Sequence, residues 1–170
     1  MFDVSKIRTV DDFPKKGIKF FDITTVLNDA EAFQELFAAL LEKTQTLKPD
    51  VITALEARGY FFAPALALAL KIPFVPIRKK GKLPYQTFSE QYELEYGQET
   101  IEVHQDAIKP NQRILIFDDI LATGGTAAAA VKLMQRFNPK NMNFLFLMEL
   151  SFLNGRKLLA DFNVESLITV

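Results

Sequence analysis

Ile114-Leu115-Ile116-Phe117-Asp118-Asp119-Ile120-Leu121-Ala122-Thr123-Gly124-Gly125-Thr126 is the densest pattern in the chain. Residues 114–117 form a continuous apolar run after Arg113, as in a strand covered on both faces. Two carboxylates follow at its C-terminal edge, which is where open α/β sheets bind their ligands. Thr123-Gly124-Gly125-Thr126 then opens an alanine-rich helix reaching about Phe137. Glycines let the backbone approach a ligand closely, and the free N–H groups of a helix start attract anions. A sugar phosphate fits this arrangement: amides and threonine hydroxyls hold the phosphate, and carboxylates accept from ribose hydroxyls. Capping of a solvated helix explains each piece but not two adjacent acids, a double glycine and flanking threonines together. Neither a Gly-x-x-x-x-Gly-Lys-Ser/Thr loop nor a Gly-x-Gly-x-x-Gly turn occurs.

Outward from that stretch the pattern alternates. Phe33, Leu36, Phe37, Leu40 and Leu41 recur at helical spacing, from a start near Asn28-Asp29 to a stop at Lys48-Pro49. Residues 51–55 read as a short buried strand, interrupted by Glu56-Ala57-Arg58-Gly59 before a helical run over 60–70. Phe74-Val75-Pro76-Ile77 suggests another strand, weakened by its proline. Arg78-Lys79-Lys80-Gly81-Lys82 reads as a basic loop. Tyr92, Leu94 and Tyr96 then alternate with polar residues, and Ile101 and Val103 do the same after an expected turn at Gly97-Gln98. That is a half-buried hairpin. Residues 143–148 and 167–170 complete the strands. The expectation is one domain over 1–170: a doubly wound α/β fold, mostly parallel, with helices on both faces and the hairpin as an appendage.

Composition narrows the chemistry. The chain has 170 residues, with 20 Lys and Arg against 21 Asp and Glu, a net charge of -1 that argues against a nucleic-acid or membrane-surface binder. With no cysteine and a single histidine, His104, thiolate chemistry and His-rich metal centres are excluded. Carboxylates, lysines, arginines, backbone amides or an oxygen-bound ion must carry any reaction. The first residues are too polar for a secretory signal, and the longest apolar stretch, over 60–70, is too short to span a bilayer. The expectation is a soluble cytoplasmic protein.

The stretch ending Ala122-Thr123-Gly124-Gly125-Thr126 resembles the phosphoribosyl pyrophosphate (PRPP) motif of type I phosphoribosyltransferases. Further segments resemble the adenine-using branch of that family, in family order. Phe13-Pro14 with Gly17-Ile18-Lys19-Phe20-Phe21-Asp22-Ile23 is similar to its base-binding segment, within an N-terminal hood over 1–28. Glu56-Ala57-Arg58-Gly59 is similar to its pyrophosphate loop, which in relatives holds a non-proline cis peptide, here expected between Glu56 and Ala57. Arg78-Lys79-Lys80-Gly81-Lys82-Leu83-Pro84 and Leu94-Glu95-Tyr96-Gly97 are similar to its basic loop and flexible hood, over 78–104.

The resemblance implies a magnesium-dependent, purine-salvage transfer from PRPP to adenine, giving adenosine monophosphate (AMP) and pyrophosphate. Arg58, Arg78, Lys79 and Lys82 would hold pyrophosphate beside Mg²⁺, itself held mainly by PRPP and water. Asp118 and Asp119 would orient the ribose, and Ala122, Thr123, Gly124, Gly125 and Thr126 the 5′-phosphate. Phe20 would stack on adenine while the backbone at Lys19 and Phe21 reads its edge. Relatives commonly have arginine where this chain has Phe21. Glu95 would handle the proton at adenine N7, with Tyr96 beside it. Residue chemistry alone does not select Glu95 over Glu90, Glu93, Glu99 or Glu102, and His104 reads as an exposed strand residue with no matched role. The resemblance also implies a homodimer, with the neighbourhood of Arg58 near the subunit interface. Two alternatives stand beside this reading. One is a sister enzyme for guanine, hypoxanthine or orotate. The other is a PRPP-binding regulator of nucleic acid, for which residues 1–28 are too short and too weakly basic to supply a DNA-binding module.

Overall fold

The computed structural model describes residues 2–13, 15–94 and 97–170, the side chain of Leu94 excepted. The chain divides into two compact units, Met1–Glu42 and Lys43–Val170.

In the first unit, β1 (Arg8–Asp11) and β2 (Lys19–Asp22) pair antiparallel, with Val10 opposite Phe20 and Thr9 opposite Phe21. Between them the Asp12 carboxylate accepts from the Gly17 N–H at 2.6 Å. A short helix, α1 (Thr24–Leu27), precedes α2 (Ala30–Leu47), which continues into the second unit. Asp29 starts α2 by accepting from the N–H groups of Glu31 and Ala32, both at 3.0 Å, satisfying two donors that a helix start leaves open. Lys48, left-handed at φ 49°, ends it before Pro49, as expected.

The second unit is built on a seven-stranded sheet. Its elements are β3 (Val51–Leu55), α3 (Ala63–Leu70), β4 (Phe74–Lys79), β5 (Thr87–Leu94), β6 (Gly97–His104), β7 (Arg113–Leu121), α4 (Gly125–Gln135), β8 (Asn141–Glu149) and β9 (Asn163–Thr169). The order is β5-β6-β4-β3-β7-β8-β9, with parallel pairing from β4 through to β9 and antiparallel pairing of β4 with β6 and β6 with β5. This is the mostly parallel α/β sheet expected. Phe117, Phe144 and Phe146 are among its fully buried side chains, with Phe144 and Phe146 stacked at 5.8 Å. Truncating such a side chain to alanine typically costs about 3–5 kcal/mol.

Several boundaries differ from expectation. The hairpin is not an appendage, because β6 pairs with β4 at Arg78 and Lys79 and so extends the main sheet. For the same reason Arg78 and Lys79 are strand residues rather than loop. Gly97 and Gln98 also lie in β6, with Gly97 opposite Leu94, so the turn does not fall on them. The run over 60–70 is broken: Arg58–Phe61 forms a 3-10 turn before α3. Pro76 is tolerated because β6 pairs β4 only beyond it, at Arg78 and Lys79. His104 is half-buried rather than exposed, its Nε2 buried without a hydrogen-bond partner.

Candidate active site

The five parallel strands run β4-β3-β7-β8-β9, so chain connections leave in opposite directions from β3 and β7. A sheet of this order opens a crevice between those two strands at their C-terminal ends. The two motifs singled out in the sequence follow β3 and β7.

After β3, the Glu56–Ala57 peptide bond is cis, as expected from the resemblance. The loop lies on the end of β7: a Cβ on Gly59 would stand 3.2 Å from the Phe117 carbonyl oxygen and 3.3 Å from Asp118 Oδ1. Arg58 Nε reaches Asp119 Oδ2 at 2.8 Å. Strand β7 runs four residues past Phe117, so both acids lie within it rather than beyond it. Asp118 Oδ1 accepts from the Asp119 N–H at 2.9 Å. Burial pushes the Asp118 carboxyl well above its ordinary value, and the neighbouring charge of Asp119 adds to this. Burial raises Asp119 too, against the opposing pull of Arg58.

Beyond β7 the chain turns at Gly124, left-handed at φ 84°, which stands at the start of α4 without a side-chain cap. The first N–H groups of α4 are therefore offered outward. Asp118, Ala122, Thr123, Gly124, Gly125 and Thr126 are among the residues lining a small cavity of about 70 Å³ at this point. A wider recess of about 560 Å³ lies over Glu149 and Arg156, but their charges are paired with each other.

Two of the other expected cations, Arg78 and Lys79, are paired. Arg78 Nε meets Glu56 Oε2 at 3.0 Å, and its Nη1 donates to the Lys82 carbonyl at 3.1 Å. Lys79 Nζ meets Glu99 Oε1 at 2.5 Å. The Lys82 side chain is exposed on the turn beyond β4. Tyr92 was not singled out from the sequence, yet its hydroxyl donates to Glu99 Oε2 at 3.1 Å. Burial raises the Tyr92 phenol above its ordinary value. Its strand lies against α4, where Glu90 faces Lys132 at 3.4 Å and Arg136 at 3.6 Å. Strict alternation had shown Tyr92 as a hairpin residue without showing what lay opposite.

Glu95 and Tyr96 lie outside the described residues, as does Pro14. Lys19, Phe20 and Phe21 form most of β2 in the first unit. Lys19 is exposed, Phe21 is buried, and Phe20 is half-buried with its ring edge-to-face against Phe13 at 5.1 Å. Strand alternation sends the Phe20 and Phe21 side chains to opposite faces, so only one can belong to a stacking surface.

The described residues contain no group of three His, Cys, Asp or Glu placed to hold a metal ion. The donors at the crevice are nonetheless oxygens, the kind Mg²⁺ prefers, and an ion held largely by substrate and water fits them.

Residues 23–166 match the family model described as the phosphoribosyl transferase domain. The adenine phosphoribosyltransferase of Desulfitobacterium hafniense is 52% identical over 162 residues, covering 95% of this chain and 94% of the relative. The crystal structure of adenine phosphoribosyltransferase from Thermoanaerobacter pseudethanolicus superposes with a TM-score of 0.92 at 48% identity, covering 98% of this chain and 96% of that one. The Saccharomyces cerevisiae enzyme, solved with adenine and an imino-altritol bisphosphate, gives 0.89 at 40% identity over 95% and 94% of the two chains. The chain belongs to the phosphoribosyltransferase family and, within it, to the adenine phosphoribosyltransferases.

Proposed function

We infer that the protein transfers the 5-phosphoribosyl group of PRPP to adenine, giving AMP and pyrophosphate, a purine-salvage step. The observation that carries the local chemistry is the convergence at one crevice of Arg58, the Asp118–Asp119 pair and the uncapped helix start behind Gly124.

The C1′–pyrophosphate bond breaks to leave an oxocarbenium-like sugar and a highly charged leaving group, so fixed charge near that bond is the largest available help. In this reading Arg58, Arg78, Lys79 and Lys82 receive the pyrophosphate. Arg78 and Lys79 exchange their Glu56 and Glu99 partners for phosphate oxygens as PRPP enters. Asp118 and Asp119 accept from the ribose hydroxyls and fix the sugar. The amides and hydroxyls of Ala122, Thr123, Gly124, Gly125 and Thr126 hold the 5′-phosphate. Phe20 stacks on adenine, the backbone at Lys19 and Phe21 reads its edge, and burial of the Phe21 side chain makes it indifferent to the arginine that relatives carry. Glu95 takes the proton from adenine N7, with Tyr96 beside it. Mg²⁺, held mainly by PRPP and water, would supply charge neutralisation for the pyrophosphate.

We further propose a cytoplasmic homodimer of one domain. No helix among the described residues is long and apolar enough to cross a membrane. Leu68, 80% exposed, and Phe61, 40% exposed, lie within ten residues of Arg58 and support an apolar subunit contact there.

The test is turnover of adenine with PRPP and Mg²⁺, beside guanine, hypoxanthine and orotate. Adenine should be converted far faster than the others, with activity lost in EDTA and restored by Mg²⁺. Preference for another base would assign the chain to a sister reaction, and full activity in chelator would refute the metal's part.

A further inference from the structure

Behind the phosphate loop lies a contact that the proposed substrate roles leave unexplained. A Cβ on Gly155 would stand 2.1 Å from the Ala122 carbonyl oxygen and 2.9 Å from both Gly124 N and Thr123 C. In the other direction, a Cβ on Gly124 would stand 2.5 Å from the Gly155 carbonyl oxygen. The two backbones touch with no room for a side chain between them. Gly124 has a second reason to be glycine, its φ of 84°, but Gly155 is not among the glycines of positive φ. Close approach, not backbone freedom, therefore accounts for glycine at 155.

The turn that brings Gly155 there is firmly held. Arg156 Nε donates to Glu149 Oε1 at 2.9 Å, and its Nη2 also pairs with the other oxygen of that carboxylate. Its Nη1 donates to the Val164 carbonyl at 2.6 Å, and its Nη2 to Ser166 Oγ at 3.1 Å. Glu149 ends β8, and Val164 and Ser166 lie in β9, so Arg156 bolts the turn to two strands of the central sheet. The Leu150 N–H donates to the Leu121 carbonyl at 2.9 Å, joining the same segment to the end of β7.

We propose that Gly155 is a positioning residue for the 5′-phosphate subsite, with Arg156 as its anchor. The turn is a rigid backstop that sets where the amides of residues 122–126 stand. It touches no substrate in this reading and acts through the loop alone. The inference rests on residues 122–126 being the phosphate cradle.

The experiment measures ribose 5-phosphate binding by calorimetry, and the KM values for PRPP and adenine, in wild type, Gly155→Ala, Arg156→Ala and Phe144→Leu. A methyl group at 155 must push the loop back by roughly 1 Å, and a displacement of that size can cost on the order of 10²-fold. Gly155→Ala should therefore weaken ribose 5-phosphate and raise the PRPP KM by about 10- to 100-fold, leaving the adenine KM and the kcat at saturating PRPP within about threefold. Arg156→Ala should give the same split at about three- to tenfold, and it carries the test if Gly155→Ala does not fold. Phe144→Leu, a core change in mid-β8 that leaves Gly155 and Arg156 in place, should lower the melting temperature without producing the split. Normal phosphate binding in both turn variants would overturn the inference, as would equal losses for both substrates or an equal split in Phe144→Leu. A wild-type protein that binds neither ribose 5-phosphate nor PRPP would instead refute the cradle reading on which the inference stands.

Discussion

Arg58 Nε lies 2.8 Å from Oδ2 of Asp119, whose side chain is 3% exposed, so charge ties the loop after β3 to the end of β7. The pair spans the crevice at which the loop after β3 meets the end of β7. Its arginine side is 40% exposed, which gives solvent a hold on one partner but not on the other.

Removing only the arginine leaves a buried carboxylate without its counter-charge. Arg58→Ala should destabilise the protein by about 1–2 kcal/mol, a value below that of a fully buried pair because of the exposed guanidinium. Adding Asp119→Asn should recover most of that stability while the PRPP KM stays high, since pyrophosphate still lacks its arginine. Urea unfolding and steady-state kinetics on the four proteins of the cycle check this. A double variant as unstable as the sum of the singles would show that the two residues are not coupled.

The parallel sheet and the turn that opens α4 were legible because 114–117 and 51–55 are continuous apolar runs and because the Thr123-Gly124-Gly125-Thr126 combination has few physical uses. The end of β7 was not, since Asp118 and Asp119 look like loop residues, yet backbone pairing with β8 continues to Leu121 whatever the side chains. Arg78 and Lys79 misled in the same way. Their charges suggest a loop, but Glu56 and Glu99 partner them and allow a strand. Gly155 was invisible for a different reason. Asn154-Gly155 reads as an ordinary turn, and only the folded chain shows that a loop thirty residues earlier rests on it.

Two single substitutions should separate the phosphate from the base. Thr126→Val deletes one donor at the helix start, so the PRPP KM should rise by roughly twofold to thirtyfold, as expected for about 0.5–2 kcal/mol. Phe20→Ala deletes the proposed stacking face and should raise the adenine KM instead. Initial-rate measurements varying each substrate in turn decide the matter. Equal weakening of both substrates in both variants would mean damage to the fold.

Glu95 and its near neighbour Glu93 offer an internal control for the proton transfer. Removing a positioned acid or base typically costs about 10²–10⁴ in rate. Glu95→Gln keeps size and hydrogen-bonding reach but cannot take the N7 proton, so kcat should fall with PRPP binding little changed. Glu93→Gln should be nearly silent. Comparable losses in the two would indicate a general effect of hairpin charge, and near wild-type kcat in Glu95→Gln under rate-limiting chemistry would end the assignment.

Asp118 gives a prediction whose sign is set by burial. Its folded-state carboxyl titrates above the ordinary value, first because it is buried and then because Asp119 is charged beside it. Above about pH 4, where an unfolded aspartate has lost its proton, the native state therefore holds a proton that the unfolded state does not. Stability must fall as pH rises through that window, and the full cost remains once the folded carboxyl has also ionised. Asp118→Asn removes the titrating group while its amide oxygen can still accept from the Asp119 N–H. The variant should therefore be more stable than wild type at pH 7–8, by about 0.5–2 kcal/mol, the usual size of one relieved functional constraint. The advantage should shrink towards zero below about pH 4. In the same variant the ribose loses a charged acceptor, so kcat/KM for PRPP should drop even as stability rises. Unfolding midpoints in urea from pH 3.5 to 8 give the comparison. Parallel curves for the two proteins, or a wild type that gains on the variant as pH rises, would show that Asp118 is not held above its ordinary value by burial.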